Sequence, residues 1–452
     1  MKLEAVDLTK GEIWKQLIIF TIPLLMSALL QQFYSTADLL IVGRFSGEID
    51  MAAIGNTGPL VNLLVSLFIG LSTGVSVIVA TFYSARNRQR TSEAVHTTYA
   101  IAIFGGLAFT VFTYALAPTF LRWMGTPDAI ISASISYLRI TFLGNIPVLI
   151  YNMGSGILRS VGDSVRPFNF LAVAAFLNIV FDLILVGLLD MGAAGAGWAT
   201  MSAQFVSAFL VTRALMETTD IFKLSPGRIR FYREAIVPIV KIGLPVSIQG
   251  ALISLSNVII QGQINTFGPQ AIAGISAAGR IDGFIFLAME AFAIAATTFV
   301  SQNIGARKLD RLKRGMGTSV VMVTIATVSL TSLIVLFRNP LMALFNSDPD
   351  VISYGARMLL ILGPGYIIFG VNQVVNGFIR GSGKSLPLMV VSLISMFAIR
   401  LAFIFFGIAR GGGIDIIYWS YPLSWTCNTL LVLAYYFFGN WKPKILEEAE
   451  DA

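Results

Sequence analysis

Residues 154–167 read GSGILRSVGDSVRP, and residues 376–387 read NGFIRGSGKSLP. Glycine, arginine and serine recur in the two stretches at one constant separation along the chain. The matched pairs are Gly156 with Gly377, Arg159 with Arg380, Gly162 with Gly383, and Ser164 with Ser385. Chance similarity between apolar segments would not repeat one shift over polar and glycine positions. The pattern therefore predicts that the chain contains two copies of one structural unit.

Shorter matches extend the duplication over most of the chain. The same separation aligns Ile54, Gly58, Arg86 and Arg90 with Ile275, Gly279, Arg307 and Arg311. At one residue more, TIPL (21–24) pairs with GLPV (243–246), and TPDAI (126–130) pairs with DPDVI (348–352). Internal repeats of this kind are found in several classes of membrane transporter.

The composition is that of a membrane protein. Of the 452 residues, 56% are hydrophobic and 12% are charged, and the mean hydropathy is +0.79. Soluble domains have about 25% charged residues, and their single cores stop growing beyond roughly 250–300 residues. The single cysteine, Cys427, excludes an internal disulfide, and the single histidine, His96, excludes a histidine-rich metal centre. The net charge of +7 arises in short loops between apolar segments, which argues against a nucleic-acid partner.

Twelve apolar segments are long enough to cross a bilayer, which takes about 20 residues. They lie at 14–42, 52–82, 95–117, 130–158, 167–189, 193–215, 234–264, 272–303, 317–337, 350–379, 386–408 and 416–438. We predict an all-α membrane protein with twelve transmembrane helices in two six-helix lobes. The predicted parts are an N-terminal lobe (1–217), a cytoplasmic linker (218–233), a C-terminal lobe (234–440) and a cytoplasmic tail (441–452). Because six spans is an even number, the two copies share one orientation and form a parallel repeat.

The basic residues predict how the chain is oriented, because cytoplasmic loops carry an excess of lysine and arginine. With a cytoplasmic N-terminus, the outer loops hold only Arg44, Arg122, Arg338 and Arg410. The larger basic clusters, at 86–90, 213–241 and 307–314, then fall in inner loops. We therefore expect a multi-pass protein with both termini in the cytoplasm.

Two spans of the first lobe carry polar residues that are costly inside a membrane and therefore suggest function. In the first span, Gln31, Tyr34 and Asp38 are three and four residues apart, which puts them on one helical face. In the fifth span, Asn178 and Asp182 are again four apart. Two carboxylates and an amide oxygen suit a hard cation such as Na⁺, and burial beside a like charge also favours a bound proton. A structural role, in which each carboxylate only accepts hydrogen bonds, is the alternative.

These residues lie in motifs that resemble the MATE (multidrug and toxic compound extrusion) transporters over essentially the whole chain. The resemblance is carried by QQFYSTADLLIVGRF (31–45), NIVFDLILVG (178–187) and GAAGAGWATMSAQF (192–205). It implies a transporter of the prokaryotic cytoplasmic membrane with a cation site in the N-terminal lobe. The residues that this resemblance assigns to the site are Asp38, Asn178, Asp182, Thr200 and Ala196, the last through its backbone carbonyl. It also implies that Gln31 and Tyr34 line the cavity of that lobe.

The second lobe departs from one branch of this family. Members similar to norfloxacin exporters carry a glutamate in the seventh span, where this chain has Gln249 and Asn257. In the repeat, Asp38 aligns with Ile260 and Asp182 aligns with Phe403, so the second lobe cannot build the same carboxylate pair. We therefore predict one coupling site, in the N-terminal lobe.

The second lobe does hold charged residues within its spans. Glu290 could serve as a counter-charge for a cationic drug, whereas Asp282 could equally form a structural pair with Arg280. Arg400 in the eleventh span could attract an anionic group of a substrate. The substrate cavity predicted from both lobes comprises Gln31, Tyr34, Asn152, Gln249, Asp282, Glu290 and Arg400.

The leading function is export of small organic, cationic, drug-like compounds by a cation-coupled antiporter that works by alternating access, with H⁺ or Na⁺ as the coupling ion. The alternative is a flippase for lipid-linked oligosaccharides, or a polysaccharide exporter, of related fold. The chain has no G-x-x-x-x-G-K-[ST] motif for an ATP-driven pump, and its duplicated lobes argue against a channel. No catalytic constellation is evident, so we expect a transporter that is not an enzyme. It should need no cofactor, be surrounded by membrane lipids and act as a monomer.

Overall fold

The computed structural model describes residues 5–441, and within that range the chain forms helices and no strand. The predicted tail beyond Trp441 lies outside the described residues. The spans of the first half are span 1 (Ile13–Phe45), span 2 (Glu48–Ser84), span 3 (Arg88–Trp123), span 4 (Asp128–Leu143 with Asn145–Ser160), span 5 (Val165–Leu188) and span 6 (Gly192–Glu217). Those of the second half are span 7 (Arg233–Ile264), span 8 (Pro269–Gly305), span 9 (Leu309–Leu336), span 10 (Pro349–Gly381), span 11 (Leu386–Ala409) and span 12 (Asp415–Phe438).

The prediction of twelve spans is confirmed by this set of helices. Ten single helices are long and apolar enough to cross a bilayer, and the bent pair of span 4 raises the number to eleven. Span 12 has 24 residues and completes the set. A short helix, Arg338–Ala343, connects spans 9 and 10.

Span 4 differs from its prediction as one continuous helix over 130–158. It is two helices, bent by 47° where Leu143 is followed by Gly144. Pro147 explains the position of the break, because a proline cannot donate to the carbonyl four residues before it and its ring clashes with that carbonyl. The carbonyl concerned belongs to Leu143, where the first helix ends.

Contacts divide the chain into two units, which we call the N-lobe and the C-lobe from here on. The N-lobe comprises Ile22–Gly243 with the short segment that ends at Asp7, and the C-lobe comprises Leu8–Thr21 with the chain from Leu244 onwards. These boundaries differ from the sequence-based ones at two places. The start of span 1 groups with the second half, and the linker with the start of span 7 groups with the first half.

The linker is fastened to span 3 within the N-lobe. Nε2 of His96 accepts the backbone N–H of Ser225 at 3.0 Å, while its Nδ1 lies 2.6 Å from the carbonyl oxygen of Ser92. The hydroxyl of Thr97 accepts the backbone N–H of Tyr232 at 3.1 Å. The one histidine of the chain is therefore a buried structural residue that holds the linker.

The start of the chain is held within the C-lobe by side chains at the end of span 8, in the loop after it and at the start of span 9. The backbone N–H of Leu8 donates to Gln302 at 3.2 Å, and the Asn303 amide donates to the carbonyl of Leu8 at 3.2 Å. Lys308 and Arg311 donate to further carbonyls between Leu8 and Gly11. These bonds explain why residues 8–21 group with the C-lobe.

Two glycines of the repeated stretches lie where helices approach closely. A Cβ atom at Gly377 would lie 2.7 Å from the carbonyl oxygen of Ala293, and one at Gly156 would lie 2.8 Å from the hydroxyl of Ser72. Both distances are shorter than a carbon atom tolerates, so the close packing of spans 2 and 4, and of spans 8 and 10, requires glycine.

Candidate functional site

The carboxyl groups of Asp38 and Asp182 meet inside the N-lobe. The two side chains are within hydrogen-bonding reach of each other, although they come from spans 1 and 5. Asp38 is 8% exposed and Asp182 is fully buried. One oxygen of Asp38 and both oxygens of Asp182 lack a conventional donor among the described residues. Two carboxylates in contact repel each other in a medium of low dielectric constant, so this arrangement needs a proton or a cation between them.

Asn178 lies one turn before Asp182 on the same face of span 5. It is 1% exposed, and neither its amide nitrogen nor its carbonyl oxygen has a hydrogen-bond partner in the described part of the chain. A buried amide without partners destabilises the fold, because each buried donor or acceptor left without a hydrogen bond costs about 1–3 kcal/mol of folding free energy. Asn178 therefore adds an available oxygen ligand next to the carboxyl pair.

The helix widens directly after Asp182. Residues Leu183–Leu188 form a π-helical turn, in which the backbone bonds reach five residues back. Such turns are rare and occur frequently at functional sites. Here the change of helical pitch begins directly after the residue that carries the second carboxylate.

The polar face predicted for span 1 is present in the structure. The hydroxyl of Tyr34 lies within hydrogen-bonding reach of the Gln31 side chain and interacts electrostatically with Asp38. Gln31 itself is exposed, as a polar side chain lining an aqueous cavity would be. The face therefore runs from an exposed amide to a buried carboxylate.

Tyr137 in span 4 is a neighbour of the carboxyl pair that the sequence analysis missed. Its hydroxyl interacts electrostatically with Asp38 and Asp182, and its ring is 7% exposed. Its ring belongs to a small apolar cluster that also contains Val42 and Ala196. A tyrosine in an apolar span gives no signal by itself, and only the bend of span 4 and the packing of three helices bring it to the site.

The span 6 residues assigned by resemblance lie close to this cluster. Ala196 is fully buried within it, and Thr200 is part-buried one turn further along the same helix. Asn152, which was assigned to the substrate cavity, is part-buried in span 4, and its amide donates to the carbonyl of Val148 at 2.9 Å.

The acidic residues of the C-lobe have partners other than those predicted. Asp282 accepts the hydroxyl of Tyr366 at 3.1 Å, and Arg280 is exposed and forms no ion pair with it among the residues described. The suggested Arg280–Asp282 pair is therefore wrong, because residues two apart point to different sides of a helix. Glu290 is exposed and interacts electrostatically with Arg380.

Gln249 belongs to a polar network inside the C-lobe. Its amide nitrogen donates to Ser392 at 2.7 Å, and its oxygen accepts from Arg380 at 3.4 Å. The hydroxyl of Ser392 also accepts from Asn428 at 3.4 Å. At 8% exposure, Gln249 is placed as an internal hydrogen-bonding residue.

Arg400 is buried in the C-lobe at 4% exposure. Its Nη1 donates to the side-chain oxygen of Asn257 at 3.3 Å, and its guanidinium carbon lies 3.6 Å from the centre of the Tyr421 ring. Its Nε and Nη2 have no hydrogen-bond partner in the described chain. The C-lobe thus holds a buried guanidinium, whereas the N-lobe site holds two carboxyl groups.

Groups of three or more His, Cys, Asp or Glu side chains that could hold a metal ion are absent from the described residues. The carboxyl pair with its amide is a smaller set of oxygen donors. Such a set suits a proton or a weakly held monovalent cation that the protein carries rather than keeps.

Comparison with known proteins agrees with this architecture. The MatE family model matches residues 23–184 and again residues 245–406, so each half of the chain matches it once. The "Probable multidrug resistance protein YoeA" of Bacillus subtilis is 28% identical over 445 residues, which cover 96% of each chain. The "Probable multidrug resistance protein NorM" of Thermotoga maritima is 25% identical and covers 86% of this chain and 84% of its own.

A solved structure described as "MATE in the bent conformation" superimposes with a TM-score of 0.90 at 20% identity, covering 100% of both chains. The fold is therefore shared over the full length. Together with the family match in both halves, this shows that the chain belongs to the MATE (MatE) family of multidrug efflux transporters.

Proposed function

We propose that this protein exports organic, cationic compounds from the cytoplasm in exchange for inward flow of H⁺ or Na⁺. The ion binds between Asp38 and Asp182, with Asn178, Thr200 and the Ala196 carbonyl as additional ligands. One observation carries the proposal: the two carboxyl groups are buried in contact and have oxygens without conventional donors. A structural hydrogen-bond hub would instead have its acceptors occupied.

The mechanism follows from competition between ion and substrate. When the site is open to the outside, a cation binds the carboxyl pair and disfavours bound substrate. The protein then turns inward, releases the ion and collects a new substrate from the cytoplasm or the inner leaflet. Coupling requires that ion and substrate compete, or that they favour different states, because a ligand with equal affinity for both states shifts nothing.

The membrane setting is part of the proposal. The lysine and arginine distribution supports cytoplasmic termini, and the bacterial relatives support the cytoplasmic membrane. The protein acts as a monomer without cofactor or catalytic step. A flippase for lipid-linked oligosaccharides is disfavoured, because a polyanionic substrate would be repelled by the acidic N-lobe site.

Efflux from proteoliposomes tests this function. Purified protein is reconstituted with a fluorescent organic cation, and a sodium gradient and a pH gradient are imposed separately. We expect one of the two gradients to drive transport in the wild type and neither to drive it in Asp38→Asn. Wild-type transport that ignores both gradients, or Asp38→Asn transport at the wild-type rate, would overturn the proposal.

A further inference from the structure

Arg400 is a buried cation in the C-lobe without a neutralising partner. Among the residues described, no carboxylate lies within ion-pair distance of it. Its polar neighbours are the Asn257 amide and Tyr421, on whose ring it stacks and whose hydroxyl lies within hydrogen-bonding reach. A buried charge without an ionic partner destabilises the fold even after relaxation. The stacking on Tyr421 offsets only part of this cost. If this residue had only a structural role, an apolar side chain in its place would make the fold more stable.

The acidic groups of the same lobe are engaged elsewhere. Asp282 accepts from Tyr366, whose ring lies 5.5 Å from that of Trp425. Trp425 in turn lies 5.8 Å from Tyr421, the ring on which Arg400 stacks. Asp282 and Arg400 therefore contact different members of one aromatic cluster, Tyr366 and Tyr421.

The two free nitrogens of Arg400 define the kind of partner. Nε and Nη2 lie next to each other along one edge of the guanidinium plane, while Nη1 is already used by Asn257. Two parallel N–H donors on one edge match the two oxygens of a carboxylate in a bidentate pair. The side chain is thus held by Asn257 and Tyr421 with its carboxylate-binding edge unused.

Asn257, which accepts the bond from Nη1, is exposed although it lies within span 7. Its 3.3 Å bond to Nη1 leaves the edge formed by Nε and Nη2 available to a ligand. Arg400 also follows directly on a π-helical turn, Leu393–Ile399, as Asp182 directly precedes one in the N-lobe.

We propose that the Arg400 guanidinium and Asn257 form a binding site for the carboxylate of a zwitterionic organic substrate. This inference deepens the proposed function, since it adds compounds that carry both a delocalised cation and a carboxylate to the exported class. The carboxylate binds in the C-lobe, whereas the coupling pair belongs to the N-lobe.

Binding of two matched dyes to detergent-purified protein tests the proposal. Tetramethylrhodamine is a zwitterion with a free carboxylate, and its methyl ester is the corresponding cation. The readout is the ratio of the two Kd values from fluorescence anisotropy, which needs no ion gradient and so does not depend on coupling. We expect the wild type to prefer the acid, and Arg400→Gln to lower the acid-to-ester preference at least tenfold. Arg400→Lys, which keeps the charge without the two-donor edge, should give an intermediate ratio.

Arg280→Gln is the matched control, because it removes an exposed arginine from the same lobe and should leave the ratio unchanged. Thermal unfolding and gel filtration establish that each variant is folded, and Asn257→Ala provides a second route if Arg400→Gln is not. A wild type without preference for the acid, or an Arg400→Gln protein that keeps the preference, would overturn this site. If wild-type protein showed no gradient-driven efflux, that result would instead refute the proposed function.

Discussion

The two lobes hold different buried ionisable groups on one scaffold. In the N-lobe, Asp38 and Asp182 bring two buried carboxyl groups into contact. In the C-lobe, the aligned positions are Ile260, which is buried in the core, and Phe403. One turn before Phe403 lies Arg400, a buried guanidinium with unused donors. The duplication therefore retained the framework, whereas the ionisable groups that give each lobe its chemistry diverged.

The retained framework is visible in the backbone. Gly47 and Gly268 both have a φ near +90°, as do Gly162 and Gly383. Arg86 and Arg307 share the left-handed conformation at φ values of 55° and 56°, although arginine rarely adopts it. Each of these three pairs is related by the repeat. The loops and helix ends were therefore held constant while the interiors of the lobes changed.

The largest effect should come from the carboxyl pair of the N-lobe. We predict that Asp182→Asn reduces gradient-driven efflux to the rate of liposomes without protein, because an amide can neither exchange a proton nor supply a negative charge. The double variant Asp38→Asn/Asp182→Asn should be no worse than the single one, since both residues act on one ion. Initial efflux rates of the four proteins measure this. Additive losses would mean that the two carboxylates act independently.

A smaller effect is expected at Tyr137, which links the pair to span 4. Tyr137→Phe removes the hydroxyl near both carboxyl groups and leaves the ring in its apolar cluster. Outer-shell residues of ion sites typically contribute about tenfold to affinity. We therefore expect about a tenfold rise in the ion concentration that gives half-maximal efflux. Tyr99→Phe, which loses a 3.0 Å bond to Thr212 elsewhere in the N-lobe, is the control that should not shift it.

The acidic residues of the C-lobe should affect selectivity and not coupling. Glu290→Gln is predicted to change the relative efflux rates of two organic cations by a few-fold while the ion dependence persists. The reason is that Glu290 is exposed in a lobe without a carboxylate pair. Competition between the two cations in proteoliposomes measures the change. If Glu290→Gln instead eliminated ion-driven transport of every substrate, the coupling site would lie in the C-lobe.

The shared framework should show the smallest effects, on stability alone. Gly377→Ala places a methyl group against the Ala293 carbonyl and should lower the free energy of unfolding by about 1–3 kcal/mol. Gly156→Ala meets the Ser72 hydroxyl, which can rotate, so its cost should be lower. Thermal unfolding in detergent compares them with Gly279→Ala, whose added methyl group meets no atom. Equal melting temperatures for all three would contradict the close packing.

Much of the fold could be predicted from the sequence. The length of each apolar segment indicates a membrane-spanning helix, and the recurring glycines indicate the two related halves. The break in span 4 was missed because residues 130–158 form one apolar segment, although Pro147 within it marks a helix break. The site residues of spans 1 and 5 could be named because buried carboxylates are rare in membrane helices. Tyr137 and the partners of Asp282 could not be identified from the sequence, because their roles depend on distances between helices that no local pattern encodes.

The role of Asp38 and Asp182 in carrying the coupling ion can be separated from their role in substrate binding and folding. Gradient-driven efflux and substrate counterflow are measured on the same proteoliposomes for wild type and Asp38→Asn. Counterflow exchanges labelled for unlabelled substrate and needs no ion, so it also shows that the variant is folded and functional. The account predicts that Asp38→Asn keeps counterflow and loses gradient-driven efflux. Gradient-driven efflux at the wild-type rate, or loss of both activities in a folded variant, would contradict it.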